Sequence, residues 1–154
     1  MVVEDQEKKD ELADIVRDER MRTSAADIIV CTNLEKCERE FGERGTNLYS
    51  IQETSAAIEN MLLEAHNQDL GTFWTSDFNE ERVADLIRCP KKIRPLAVIA
   101  LGYAKKYAKP PKKYDITELS YLDEYGNRIN PKYDKFEWEG IMKFAKKLRR
   151  NLKT

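Results

Sequence analysis

Apolar positions along the chain form two kinds of pattern. In the stretches 27–32, after its initial Asp27, and 96–101, apolar and β-branched residues follow one another without a break, which predicts buried strands. Elsewhere apolar residues recur every three or four positions, which predicts amphipathic helices. These predicted helices cover 5–21, 51–67, a segment that starts at an Asn79 cap and stops near Pro90, and a closing helix from Tyr133 onward.

The stretches between these elements give weaker patterns. Val2–Val3 is typical of a β-like stub, and Phe73–Thr75 of a short strand. Residues 33–50 are polar and contain glycines, so we expect a loop with room for one helical turn. We expect an edge strand within 115–125. Helices that alternate with apolar strands indicate an α/β or α+β sandwich.

Composition narrows the class of protein. The 154 residues, of which 41% are hydrophobic, are enough for one domain with a real core. The 27 basic and 28 acidic residues nearly cancel, so no overall charge attracts the chain to nucleic acid or to an anionic membrane. No apolar run approaches the ~18–20 residues that cross a bilayer. Because the first ten residues are polar and acidic, unlike a targeting peptide, we expect a cytoplasmic protein.

Thiol and imidazole groups are few. The three cysteines, Cys31, Cys37 and Cys89, show no C-x-x-C spacing, so we expect reduced thiols, with Cys31 a small buried apolar residue of its strand. The one histidine, His66, excludes a His-rich zinc site, and we expect it to lie on the surface near a helix end. We therefore predict no metal site and no catalytic side chain of the acid–base or nucleophile type.

Four segments carry a resemblance to a known family. They are SAADIIV (24–30), YSIQETSAAIENMLLEA (49–65), DLGTFW (69–74) and RPLAVIALGY (94–103). In this order and spacing, over about residues 2–121, the chain resembles the nitroreductase family of flavin enzymes. That family opens with an Arg-rich segment, and this chain starts where the segment ends. The resemblance therefore implies an N-terminally truncated member.

The resemblance also implies a fold, an activity and partners. The implied fold is α+β, a three-layer sandwich with a central, mostly antiparallel sheet flanked by helices. The implied protein is a homodimer that holds FMN and passes two electrons from NADH or NADPH to a nitroaromatic, quinone or similar small acceptor, with the chemistry carried by the flavin. Residues 1–126 form the truncated nitroreductase-like domain in this interpretation, and 127–154 a basic amphipathic helical extension. The alternative is a non-catalytic dimeric remnant that acts as a binding or scaffold protein.

Two segments correspond to the family's FMN-binding residues. Asp69-Leu70-Gly71-Thr72 corresponds to a Gly-Leu-Gly turn whose backbone approaches the flavin, with Asp69 in place of the first glycine. A helix C-cap is the alternative role for this turn. Lys112 and Lys113 match a basic pair that reaches the FMN phosphate, and a solvated basic loop is the alternative.

Substrate contacts are expected upstream of the predicted helix 51–67. Phe41 and Arg44 lie in the region that resembles the family's substrate-gating segment, and Tyr49 is expected to wall a flat aromatic substrate. A core position is the alternative for Tyr49, and a surface ion pair is the alternative for Arg44. The basic residues of 143–154 are expected to lie on a solvated helix, where they complement the helix dipole, and the apolar stripe of that helix is expected to pack on the partner subunit. A contact of the basic residues with RNA or an acidic partner is the alternative.

Overall fold

The computed structural model describes residues 1–106 and 109–128. Contacts group the chain into two compact units, Met1–Tyr107 and Ala108–Thr154. The elements in chain order are β1 (Val2–Val3), α1 (Gln6–Val16), α2 (Glu19–Thr23), β2 (Ala26–Asn33), α3 (Leu34–Arg44), a π-helical turn (Gly45–Tyr49), α4 (Ser50–Asn67), β3 (Gly71–Thr75), α5 (Glu80–Leu86), β4 (Ile93–Gly102) and α6 (Ile116–Leu119).

The four strands form one sheet in the order β1-β2-β4-β3, and every neighbouring pair is antiparallel. In the register, Ile29 of β2 lies opposite Val98 of β4, and Phe73 of β3 lies opposite Ala100. Side chains alternate between the two faces of a strand, so this register sorts the apolar residues of β4 onto two opposite faces.

Each face of the sheet is covered by helices. On the first face, Val98 and Ala100 belong to a buried cluster with Leu12 of α1, Met21 of α2 and Val83 of α5. On the second face, Ala97 and Ile99 pack with Ile58 of α4, and Met61 and Leu62 lie at the edge of that cluster. The fold is therefore α+β with three layers, as predicted from the resemblance.

The predicted strands and central helices are confirmed with small shifts of their ends. The two continuous apolar runs are β2 and β4, and the most regular apolar stripe is α4. Asn79 caps α5 as expected, because its side-chain oxygen accepts a hydrogen bond of 3.0 Å from the backbone N–H of Arg82.

The single helix predicted for 5–21 is wrong, because the chain forms two helices there. Arg17 adopts a left-handed conformation with φ of 60°, which ends α1. Asp18 then caps α2 by accepting a hydrogen bond of 2.9 Å from the backbone N–H of Arg20. The apolar stripe continues through the break to Met21, so periodicity alone does not show it.

The loop predicted for 33–50 is also wrong, because residues 34–50 are helical apart from a kink at Gly42. Asn33 caps α3, and its side chain accepts a hydrogen bond of 3.0 Å from the backbone N–H of Lys36. None of the side chains in α3 is buried, although Leu34, Cys37 and Phe41 recur at helical spacing. The glycines at 42 and 45 favoured the loop interpretation over this short stripe.

The edge strand expected within 115–125 is wrong as well. Asp115 caps α6 by accepting a hydrogen bond of 2.9 Å from the Thr117 N–H, and this capping outweighs the strand pattern. Strand pairing in this region is limited to a bridge between Tyr121 and Arg128. The closing helix predicted from Tyr133 and the extension 127–154 fall almost wholly outside the described residues, so both stay predictions.

None of the helices among the described residues is long and apolar enough to cross a bilayer.

Two charged residues are buried between α1 and β2. Lys9 is 5% exposed and Asp27 is 0% exposed. The Lys9 Nζ donates a hydrogen bond of 2.8 Å to the Ser24 carbonyl, and the Ser24 Oγ lies 2.8 Å from Asp27 Oδ1. Asp27 Oδ2 has no hydrogen-bond partner within the described part of the chain. Burial raises the pKa of Asp27 to about 6, although the Ser24 hydroxyl and the Lys9 charge act to lower it.

Replacement of this carboxyl should change how stability depends on pH. Because the pKa of Asp27 is raised on folding from 3.8, the folded state holds the proton more tightly, and the stability gained from it is lost as pH rises from about 4 to about 6. We expect Asp27→Asn to raise the free energy of unfolding by roughly 2 kcal/mol at pH 7.5, with a much smaller gain at pH 4.

Urea denaturation of both proteins at the two pH values measures this difference. Asp85→Asn removes an exposed carboxyl from α5 and serves as the control, for which we expect no such pH-dependent gain. An equal difference between Asp27→Asn and the original protein at both pH values would contradict the assignment.

Candidate functional site

The turn at 69–72 follows directly from the way α4 ends. Asp69 has a φ of 57°, in the left-handed region. Its N–H donates a hydrogen bond of 3.1 Å to the His66 carbonyl, and the Leu70 N–H donates one of 2.9 Å to the Ala65 carbonyl. This pair of bonds is a Schellman motif, which satisfies carbonyls at a helix C-terminus. The structure therefore shows the capping role for the turn, and contact with a flavin stays a prediction.

Gly71 is held against the segment that follows β4. A Cβ at Gly71 would lie 2.8 Å from the Cβ of Ala104 and 3.2 Å from its nitrogen, which is too close for any other residue. Gly71 also pairs with Gly102 at the end of β4. The turn is thus fixed on one side by the helix cap and on the other by close backbone packing.

The turn leads into an edge strand with a free side. Within the described residues β3 is hydrogen-bonded to β4 alone, so the other edge of its backbone faces no strand. Asp69 and Thr72 are exposed, and Trp74 is 40% exposed on the face of the sheet that α4 covers in part. A flavin ring needs hydrogen-bonding groups along one edge and a flat apolar surface, and this arrangement offers both.

The FMN phosphate needs cationic donors in addition. Lys112 and Lys113 are exposed residues of the loop before α6, in the second unit. Both lysines are thus open to solvent in the structure, and their contact with a phosphate stays a prediction.

Phe41, Arg44 and Tyr49, the three predicted substrate residues, lie together. The Arg44 Nε donates a hydrogen bond of 2.9 Å to the Tyr49 hydroxyl. The rings of Phe41 and Tyr49 meet edge to face with centroids 5.5 Å apart. The surface ion pair considered for Arg44 is absent among the described residues. We call this group the aromatic–arginine cluster; substrate binding by it stays a prediction.

Two glycines shape the helix that carries this cluster. Gly42 has a φ of 60° and a ψ of −151°, which kinks α3. Gly45 is buried, and a Cβ there would lie 2.3 Å from the Cys37 carbonyl oxygen. The sequence pattern assigned these glycines to a loop. They instead permit a kink and a tight π-helical turn inside continuous helical structure.

A cavity of about 500 Å³ lies at the other end of β3, and sequence reasoning did not find it. It is lined by Arg17, Asp18, Phe73, Thr75, Asn79 and Arg82, among others. The Arg20 guanidinium lies 3.3 Å above the Phe73 ring and pairs with Asp18, which lowers the pKa of that carboxyl. Charged residues at the break between α1 and α2 are the sequence signal that marks this position.

The remaining candidates are placed as follows. His66 is exposed in the last turn of α4, so the surface role is confirmed. Cys31 is half-buried and packs against the core cluster of the first face, close to the buried role expected for it. No group of three or more potential metal ligands occurs within residues 1–106 and 109–128.

The left-handed cap predicts a stabilising substitution. A side chain at a left-handed position costs about 1 kcal/mol relative to glycine, so Asp69→Gly should raise the free energy of unfolding by roughly 0.5–1 kcal/mol. Chemical denaturation monitored by circular dichroism measures it. Asn67→Gly, two residues earlier and inside the helix, should instead lower stability by a few tenths of a kcal/mol. Destabilisation by both glycines would refute the cap.

Comparison with known proteins gives a consistent result. The model of the nitroreductase family matches residues 1–103. A candidate NADH dehydrogenase/NAD(P)H nitroreductase of Methanothermobacter thermautotrophicus is 40% identical over 57 residues, which cover 34% of this chain and 30% of that protein. The match thus spans about a third of that relative's length.

Solved structures share the fold. A candidate NADH dehydrogenase/NAD(P)H nitroreductase from Bacteroides thetaiotaomicron superposes with a TM-score of 0.67 at 29% identity, over 81% of this chain and 71% of that one. A nitroreductase family protein from Clostridium novyi gives a TM-score of 0.60 at 26% identity, over 82% and 70% of the two chains. Because the family model covers well over half of the sequence and the fold agrees, the chain belongs to the nitroreductase family.

Proposed function

We propose that this chain works as an FMN-dependent oxidoreductase, which takes two electrons from NADH or NADPH and gives them to a nitroaromatic, quinone or similar small acceptor. Membership of the nitroreductase family supports the reaction class. The observation that carries the proposal for this chain is the fixed turn 69–72 at the open edge of β3.

In this proposal the turn and β3 hold the ring of the cofactor. The Schellman bonds at Asp69 and Leu70 and the packing of Gly71 on Ala104 fix the backbone before any ligand arrives. A fixed backbone costs less entropy on binding than one that must be ordered. When bound, the flavin supplies the hydride chemistry, so the protein needs to bind, orient and exclude water. Lys112 and Lys113 neutralise the phosphate as point charges.

The aromatic–arginine cluster is the proposed acceptor site. The Arg44 guanidinium carries five N–H donors, and the hydrogen bond to the Tyr49 hydroxyl uses one of them. The others are able to donate to the oxygens of a nitro group or a quinone. Phe41 is 49% exposed, which leaves part of its ring free to contact a flat acceptor.

A homodimer is part of the proposal, and α4 supplies its surface. Leu63 is 58% exposed, although Ile58 on the same helix is buried against the sheet. Ala56 lies seven residues before Leu63, so both fall on one face that points away from the sheet. An exposed small residue and an exposed large apolar residue, two helical turns apart on one face, suit the packing of a second helix.

The three free cysteines suit the reducing cytoplasm that we propose as the location.

A non-catalytic dimeric protein, acting as a scaffold or binding module, is the second candidate. The contact between Gly71 and Ala104 favours it, because that contact explains the need for glycine without a cofactor.

Flavin titration separates the two candidates. We expect the purified protein to bind FMN, followed by the quenching of flavin fluorescence, and to oxidise NADH or NADPH with a quinone as acceptor. Lys112→Ala/Lys113→Ala should weaken FMN binding by roughly tenfold to a hundredfold and leave riboflavin, which lacks the phosphate, almost unaffected.

Lys91→Ala/Lys92→Ala is the matched control. Both of its lysines are exposed, and the ion pair of Lys92 with Glu35 is a surface pair of small energetic value. Equal losses in the two double variants would show that general charge, not the 112–113 pair, attracts FMN. Failure of the original protein to bind any flavin would favour the scaffold.

The dimer surface has its own test. Leu63→Asp places a charge in the proposed interface, so we expect sedimentation to show a monomer that keeps its helical circular dichroism spectrum. Val2→Asp introduces the same charge at an exposed position of β1 and should leave the dimer intact. A dimer that persists in Leu63→Asp would place the interface elsewhere.

A further inference from the structure

We propose that Cys31 and Cys89 are a thiol pair that a low-molecular-weight disulfide, such as oxidised glutathione, converts to a reversible disulfide bond. The bond would join β2 to the connection between α5 and β4. This inference does not depend on flavin binding.

The backbone places both cysteines over the same pair of strands. Cys31 lies in β2 opposite Pro95 of β4. Cys89 follows α5, where its N–H donates a hydrogen bond of 2.7 Å to the Ala84 carbonyl. The Cys89 thiol donates to the carbonyl of Ile93, the first residue of β4, with a distance of 3.5 Å. Cys89 is therefore held above the start of β4, beside the strand that carries Cys31.

The side chains of the two cysteines lie on one face of the sheet. Both pack against the buried cluster formed with α1, α2 and α5. The Cys89 thiol is also close enough to contribute, after the larger effect of burial, to the raised pKa of the Cys31 thiol. Two thiols that lie near each other on one face need only a small movement to form an S–S bond.

Cys37 does not belong to this pair. Its Sγ lies 3.8 Å from the Thr32 Oγ1, and Thr32 is the neighbour of Cys31 in β2. Successive residues of a strand point to opposite faces, so Cys37 lies across the sheet from the thiol pair. Cys37 therefore serves as an internal control for the reactivity of a partly buried cysteine.

The disulfide bond forms in two thiol–disulfide exchange steps. One protein thiolate attacks a sulfur of the reagent, which forms a mixed disulfide and releases one thiol of the reagent. The second protein thiolate then attacks the protein sulfur of that mixed disulfide and releases the second thiol. The protein loses two protons and two electrons, and the reagent gains them.

The resting state should be reduced. All three cysteines are half-buried, so a small reagent reaches them only in part. Burial raises the pKa of the Cys31 thiol, and the neighbouring Cys89 raises it further, so little of the reactive Cys31 thiolate is present at neutral pH. An added oxidant is needed before the bond forms.

Mass spectrometry tests the proposal on the full chain. We expect treatment with oxidised glutathione to give a monomeric species that has lost two hydrogen atoms, and dithiothreitol to restore them. Trypsin cleaves so that the cysteines fall on the peptides 23–36, 37–39 and 89–91, and the non-reduced digest should contain 23–36 joined to 89–91. The melting temperature of the oxidised protein should be roughly 5–10 °C higher than that of the reduced protein, because the bond closes a long loop.

Single cysteine-to-serine variants show which two cysteines form the bond. Cys37→Ser should form the bond as the original protein does, whereas Cys31→Ser and Cys89→Ser should keep both remaining hydrogens. The digest of Cys37→Ser shows whether Cys31 and Cys89 are joined, even where the other two variants fold poorly. Glutathione adducts alone, a link that includes the peptide 37–39, or no loss of hydrogen at all would each overturn the proposal.

Discussion

The pairing of β4 with both of its neighbours is the constraint on which the rest of the first unit depends. Ala97, Val98, Ile99 and Ala100 are all buried, so this strand loses water on both faces at once. β2 and β3 are held on its two sides, and β3 has no other strand partner within the described residues. A shift of β4 by one residue would exchange the two apolar faces, so burial fixes the register. The same register sets Gly71 against Gly102 and thereby positions the turn of the candidate site.

How much the sequence predicts depends on whether a segment buries apolar side chains. β2, β4 and α4 bury them, so their patterns are clear and their positions were correct. α3 buries none and was missed. The end of α1 was missed for a second reason. Arg17, the left-handed residue that ends this helix, is not glycine, so the usual glycine signal is missing. α4 and α5 are also followed by left-handed residues other than glycine, but there Gly71 and Pro90 mark the ends in the sequence.

The candidate site was also predicted only in part. The resemblance located the turn at 69–72 and selected Phe41, Arg44 and Tyr49, which the structure brings together. The contact between Gly71 and Ala104 joins residues far apart in sequence, and no local pattern contains it. The cavity beside Phe73 depends on the break at Arg17 and was missed together with that break.

The two faces of the sheet carry different kinds of chemistry. The face covered by α1, α2 and α5 holds the Asp27 carboxyl and the Cys31–Cys89 pair, all of which act on the stability of the fold. The other face carries α4, whose end forms the candidate flavin turn and whose outer surface exposes Leu63. A buried carboxyl that lacks a full set of partners costs stability, and it is tolerated where it does not disturb the site. In the proposed function the flavin brings its own reactive atoms, so the candidate site needs a fixed backbone and shape more than it needs an acid or a base. That requirement explains why the informative residues here are a turn, a close-packed glycine and an edge strand.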